Sequence, residues 1–83
     1  MNDYAEAPPL ADRIDAALAL VRVELIRATS RFGPFASTHE GYAVILEELD
    51  EMWDEIKANR PDAACREAVQ VAAMATRFLV DMR

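Results

Sequence analysis

HEGYAVILEELDEMWDE, residues 39–55, decides how the rest of the chain is read. Within and just beyond it Tyr42, Ile45, Leu46, Leu49, Met52, Trp53 and Ile56 recur at steps of three and four. On a helix those positions share an arc of about 120°. The spacing predicts a helix from Thr38 to about Ala58 with that arc as its core stripe. Ser37 and Glu40 form a capping box at its start: the serine accepts from the Glu40 amide and Glu40 reaches back. Arg60-Pro61 ends it, because a residue before proline is pushed out of the α region.

Upstream, Phe32-Gly33-Pro34-Phe35 is a helix break. Before it, Ile14, Leu18, Val21, Leu25 and Ala28 define an amphipathic helix from Leu10 to about Arg31. A second apolar set, Ala16, Leu20 and Val23, lies on another side of that helix. A helix apolar on two sides is buried on both. With only two other helices in the chain, the spare side is expected to meet another subunit. Downstream, a third helix is predicted from about Asp62 to Asp81, with Ala64, Ala68, Val71, Ala72, Ala75, Phe78, Leu79 and Met82 on its apolar arc. Arg66, Glu67, Gln70, Arg77 and Asp81 fall opposite. Residues 1–9, ending in Pro8-Pro9, have no period and read as a flexible leader; residues 10–83 read as one domain. The expected fold is all-α: a three-helix chain assembling into an oligomeric helical bundle.

Composition narrows the function. A chain of 83 residues and 9.3 kDa holds one small domain. Such a domain buries only about 60% of its unfolded surface, a second reason to expect assembly. Cys65 is the single cysteine, which excludes an internal disulfide and a cysteine zinc cage. No apolar run approaches the roughly 20 residues of a bilayer span, and Met-Asn-Asp-Tyr-Ala-Glu lacks the basic start of a secretion signal, so a cytoplasmic protein is expected. A net charge of −6 argues against nonspecific contact with nucleic acid or an anionic membrane.

That charge is concentrated. Of fifteen acids, seven (Glu40, Glu47, Glu48, Asp50, Glu51, Asp54, Glu55) lie between positions 40 and 57 beside one base, Lys57. The other eight acids are balanced by the other eight bases. Six like-charge pairs at helical spacings of three or four cost the second helix about 1–3 kcal/mol, at roughly 0.2–0.5 kcal/mol each. Two explanations fit. Solvent and neighbouring arginines could screen the acids, as on any acidic helix face. Alternatively a magnesium ion could offset the repulsion, since it takes hard oxygen ligands from a few carboxylates. Glu48 and Glu51, three apart, project side by side, and the third helix offers Glu67 and Gln70, also three apart.

Residues 39–55 together with Glu67-Ala68-Val69-Gln70-Val71-Ala72-Ala73-Met74-Ala75 resemble the MazG-like nucleotide pyrophosphohydrolases, particularly small phage-type members. That all-α superfamily shows an EExxE motif, a spacer, then ExxD on the next helix. Glu47-Glu48-Leu49-Asp50-Glu51 matches the first part, and after the spacer at residues 52–66 Glu67-Ala68-Val69-Gln70 stands at the second. The resemblance covers roughly residues 35–82. It implies magnesium (or manganese) held by Glu48, Glu51, Glu67 and Gln70, with Glu47 and Glu48 serving catalysis. It also implies hydrolysis of a nucleoside triphosphate to monophosphate and pyrophosphate by a homodimer or homotetramer. The role implied is housecleaning of the nucleotide pool, or its adjustment during phage growth. Gln70 departs from the family's aspartate: its amide oxygen brings no charge and cannot act as a base. A catalytically silent nucleotide- or metal-binding module, or an interaction protein, is therefore the alternative.

Other residues carry weaker signals. Lys57 and Arg66, with Arg60 and Arg77, are the cations that could meet a triphosphate, although solvated charge is the default for each. His39 reads as a capping or surface residue. Tyr42 and Trp53 read as core packing and Cys65 as a small buried side chain.

Overall fold

The computed structural model describes residues 6–83, which form three helices: α1, Leu10–Arg31; α2, Thr38–Lys57; α3, Pro61–Met82. No strand occurs among the described residues, so the chain is all-α. Residues 6–9 are non-helical and exposed; the rest of the expected leader, residues 1–5, lies outside the described residues. No helix among them is long and apolar enough to cross a membrane.

Local chemistry sets the helix ends. Ser37 Oγ accepts from the Glu40 amide at 3.1 Å, as the capping box requires, while Glu40 Oε1 accepts from the Ala36 amide, one residue earlier than expected. α2 closes before Pro61 can act. Asn59 sits in the left-handed region at φ 58°, its amide donates to Ile56 O at 3.1 Å, and the Arg60 amide donates to Glu55 O at 3.0 Å. That pair of bonds is a Schellman closure with asparagine where glycine is commoner. The Arg60 side chain adds a fork onto Glu55, at 2.6 and 3.2 Å. Pro61 then opens α3, where a missing N–H costs nothing.

α3 is the central helix. It packs on α2 along one side and on α1 along another, while α1 and α2 do not pack on each other. Ala28, Phe35, Ala73 and Met74 form the buried core, with Val21, Leu25, Val44, Ile45, Phe78 and Met82 against them. Close approach of α2 to α3 depends on Gly41. A Cβ there would lie 2.5 Å from Phe78 Cδ2 and 3.2 Å from Phe35 Cδ2, so only hydrogen fits without a shift.

This arrangement changes four readings. The apolar stripe of α2, expected as core, is largely uncovered within the chain: Tyr42 is 65% exposed and Trp53 55%, with Leu46, Leu49 and Ile56 also exposed. The reason is that α3 is the only helix packed on α2 among the described residues, and one seam covers only part of a wide stripe. Ala73, absent from the expected arc of α3, is the most buried residue, because a helix flanked on two sides buries a wider sector than one arc. Arg77 and Asp81, expected on the solvated face, are buried for the same reason. Cys65, expected buried, is exposed near the start of α3.

Arg77 ties the α1–α2 connection to α3. Its guanidinium donates to Gly33 O, stacks 4.3 Å from the Phe35 ring centroid, and lies 3.4 Å from Asp81 Oδ2. Asp81 Oδ2 in turn accepts from the Phe35 amide at 2.9 Å. A buried cation is tolerable because its carboxylate partner is also buried and also bonded.

Candidate metal centre

Since α3 holds α1 and α2 apart, a cleft of about 530 Å³ opens between them. α1 contributes Glu24 and Arg27 to its walls, α2 contributes Glu47 and Glu48, and α3 lays Gln70, Met74 and Arg77 along it. Cavities of this size suit small-molecule ligands, for which about 300–1,000 Å³ is usual.

Next to this cleft the α2–α3 seam brings three carboxylates together. Glu48, Glu51 and Glu67 each offer an oxygen lying within 4.8 Å of the others. Glu48 and Glu51 are one turn apart on α2, and Glu67 meets them from α3, which runs antiparallel to α2. Glu48 and Glu67 are partly buried and Glu51 is exposed. Burial pushes the Glu48 carboxyl up to about 6, with the charges of Glu51, Glu67 and Glu47 adding to it. Glu67 is raised too, by burial first and then by Glu51 and Glu55, with Arg66 opposing. Glu67 Oε2 is buried with no hydrogen-bond donor. An anion left without a donor in a low-dielectric seam is costly, and here its neighbours are further anions.

The donor set suits a hard divalent cation. It is all oxygen, acidic, open on the Glu51 side, and contains one acceptor that no donor among the described residues satisfies. Magnesium fits this chemistry, with water or phosphate oxygens completing its shell.

The remaining predicted residues are placed as follows. Glu47 is exposed and lines the cleft beside Glu48. Gln70 also lines it, near Glu24 of α1. Arg66 is exposed next to Glu67, close enough to oppose the rise in that carboxyl's pKa. Lys57 is engaged elsewhere, 3.4 Å from Asp54 Oδ1 and 5.8 Å from the Trp53 ring centroid. Arg60 is held by Glu55, which keeps that carboxyl below its ordinary range.

Sequence reasoning missed Glu24 and Arg27. Arg27 forks onto Glu24 at 2.5 and 2.9 Å, and its guanidinium is the main reason the Glu24 carboxyl falls below its usual value. Their spacing of three on α1 is an ordinary surface ion pair, and nothing in the sequence placed it on a cleft wall. Comparison of the chain with protein-family models, curated proteins and solved structures returned no match.

Proposed function

We propose that this chain is a magnesium-dependent nucleoside triphosphate pyrophosphohydrolase. It would convert a triphosphate to a monophosphate and pyrophosphate in nucleotide-pool housecleaning, acting in the cytoplasm as a homodimer or homotetramer. The observation that carries the reading is the meeting of Glu48, Glu51 and Glu67 from two helices, with Glu67 Oε2 lacking any donor. These three residues would hold the ion, which when bound would draw phosphate oxygens in and neutralise charge developing on them. Glu47, exposed on the cleft wall, is free to orient a water molecule toward the phosphate chain. Arg66 supplies positive charge at the rim, while Lys57, paired on α2, is a weaker candidate for that role. The cleft has room for the nucleoside next to the acids.

A second reading has its own observation. Gln70 stands beside Glu24 on the cleft wall, where its amide adds no charge. That arrangement favours a silent module that binds a nucleotide with its metal and does not cleave it.

Pyrophosphate release from canonical and modified triphosphates, with and without magnesium, separates the two. The enzyme reading expects magnesium-dependent release that Glu67→Gln abolishes and Gln70→Asp raises. No release from any triphosphate, together with a magnesium-induced rise in melting temperature, would leave the binding module. No release and no rise would end both.

A further inference from the structure

We infer that Arg27 is the residue that grips the phosphate chain of a bound triphosphate, and that Glu24 holds its guanidinium in place until that anion arrives. The inference rests on the reading of the cleft as a nucleotide site, whether the nucleotide is cleaved there or only bound.

The first ground is the supply of positive charge. Among the described residues, Arg27 and Arg77 are the cations on the cleft walls. Arg77 is buried and already committed: it donates to Gly33 O, stacks on Phe35 and faces Asp81. Lys57 and Arg60 are paired with Asp54 and Glu55, and neither lines the cleft. Arg66 lines a separate groove between α1 and α3, with Leu20, Val23 and Cys65. Against these the cleft presents Glu24, Glu40, Glu47 and Glu48. A polyphosphate entering so acidic a cleft needs a mobile cation on its wall. Arg27, with its side chain 51% exposed, is free to turn and supply it.

The second ground is position. α1 runs parallel to α3, since Leu20, Val23 and Glu24 meet Cys65, Val69 and Gln70 at one end while Gly33 meets Arg77 at the other. α2 runs the opposite way, with Glu48 beside Glu67 and Gly41 beside Phe78. The Arg27 guanidinium lies back over the preceding turn, on Glu24, and so at the level of Gln70. Gln70 is about 4.5 Å of helix rise past Glu67. The cation therefore stands on the wall across from Glu48, one turn beyond the acids that converge from α2 and α3. A phosphate chain with one end held at those acids with magnesium runs past Arg27 as it follows the cleft.

The third ground is the form of the pair. Arg27 Nε and Nη2 donate to the two Glu24 carboxylate oxygens at 2.9 and 2.5 Å. Arginine takes two phosphate oxygens with the same fork. A carboxylate with one charge yields to a phosphate chain with several, so the guanidinium changes partner when the chain is bound. Glu24 is not stranded by that exchange, because Gln70 stands beside it with amide hydrogens to donate.

Isothermal titration calorimetry tests the inference, with magnesium and the α,β-methylene analogues of the four common nucleoside triphosphates as probes. For the analogue that wild type binds best, Arg27→Gln should weaken affinity about 10–100-fold, the loss of a charge-assisted fork. Arg27→Lys keeps the charge without the fork and should fall between the two. Glu24→Gln releases the arginine and should tighten binding. That gain should vanish when Arg27→Gln is added, which separates release of Arg27 from simple relief of repulsion. An ion pair that only braces α1 would instead move both single variants in the same direction. The magnesium-induced rise in melting temperature should survive in Arg27→Gln, whose metal acids are intact; if that chain does not melt cooperatively, Arg27→Lys carries the test. Arg27→Gln binding as tightly as wild type overturns the inference and leaves the nucleotide reading standing. A Glu24→Gln chain that binds less tightly, or whose gain persists in the double variant, overturns the role given to Glu24. A wild-type chain that binds none of the analogues removes the nucleotide reading and this inference with it.

Discussion

Metal-free protein should lose stability as pH rises from about 4.5 toward 7, and millimolar magnesium should remove that loss. The Glu48 carboxyl is raised from 4.5 to about 6, chiefly by burial and then by Glu51 and Glu67. Between those values the folded chain holds a proton that the unfolded chain has released, so folding is favoured at the acid end and weakens as pH climbs. The contribution is complete below 4.5 and gone once pH has passed 6. A gap of this width is about 2 kcal/mol, at about 1.36 kcal/mol per unit. Solvent reaches the group, and screening brings the figure to about 1 kcal/mol. Glu67 is raised as well and acts in the same direction. Glu24 and Glu55, held below their ordinary values by Arg27 and Arg60, have the opposite sign, and their stabilisation is lost only as pH falls below about 4.5. Thermal melts at fixed protein concentration would resolve the effect, because about 1 kcal/mol moves the midpoint of a domain this size by about 4–8 °C. Magnesium at about ten times its dissociation constant should add about 1.4 kcal/mol. Glu48→Gln removes the charge. It should flatten the metal-free profile, raise stability near neutral pH by about 1 kcal/mol, and abolish the magnesium response. A metal-free profile that is flat or rising over this range, or a Glu48→Gln chain that still gains stability from magnesium, would refute the reasoning.

Two other substitutions probe the fold that carries the site. Gly41→Ala drives a methyl group into Phe78 and should destabilise by about 1–3 kcal/mol in chemical denaturation, reduced by the roughly 0.5–1 kcal/mol that alanine contributes to a helix. Asp81→Ala leaves the buried Arg77 guanidinium without its anion and the Phe35 amide without its acceptor, an expected loss of about 3–5 kcal/mol. The double change Arg77→Leu with Asp81→Leu should cost less than Asp81→Ala alone, and a greater cost would argue that the pair is a net stabiliser.

Much of the local structure was legible because its causes are local. Three-and-four spacing, the Ser37 cap, the Gly33-Pro34 break and Pro61 are properties of neighbouring residues, and all three helices fall within two residues of where those signals put them. The pairing of Glu48 with Glu51 was legible for the same reason, since one turn of helix sets it. Glu67 was legible as a candidate on the third helix, and the register of α3 against α2 is what brings it to that pair. The end of α2 shows the limit of the local view. Proline explains why the helix stops, but Asn59 in the left-handed region determines where.

Periodicity tells which side of a helix is apolar, and it cannot tell what covers that side. The stripe of α2 reads as core from sequence, yet it stays open in the single chain because α3 takes the middle position and α1 packs on α3 alone. Arg77 and Asp81 invert the error: two charges on a face that reads as solvated become a buried anchor once the 32–37 connection folds across them. Helix identity is encoded over a few residues, whereas burial depends on which helices meet, and that is settled by contacts between residues distant in sequence, such as Gly41 with Phe78 and Gly33 with Arg77.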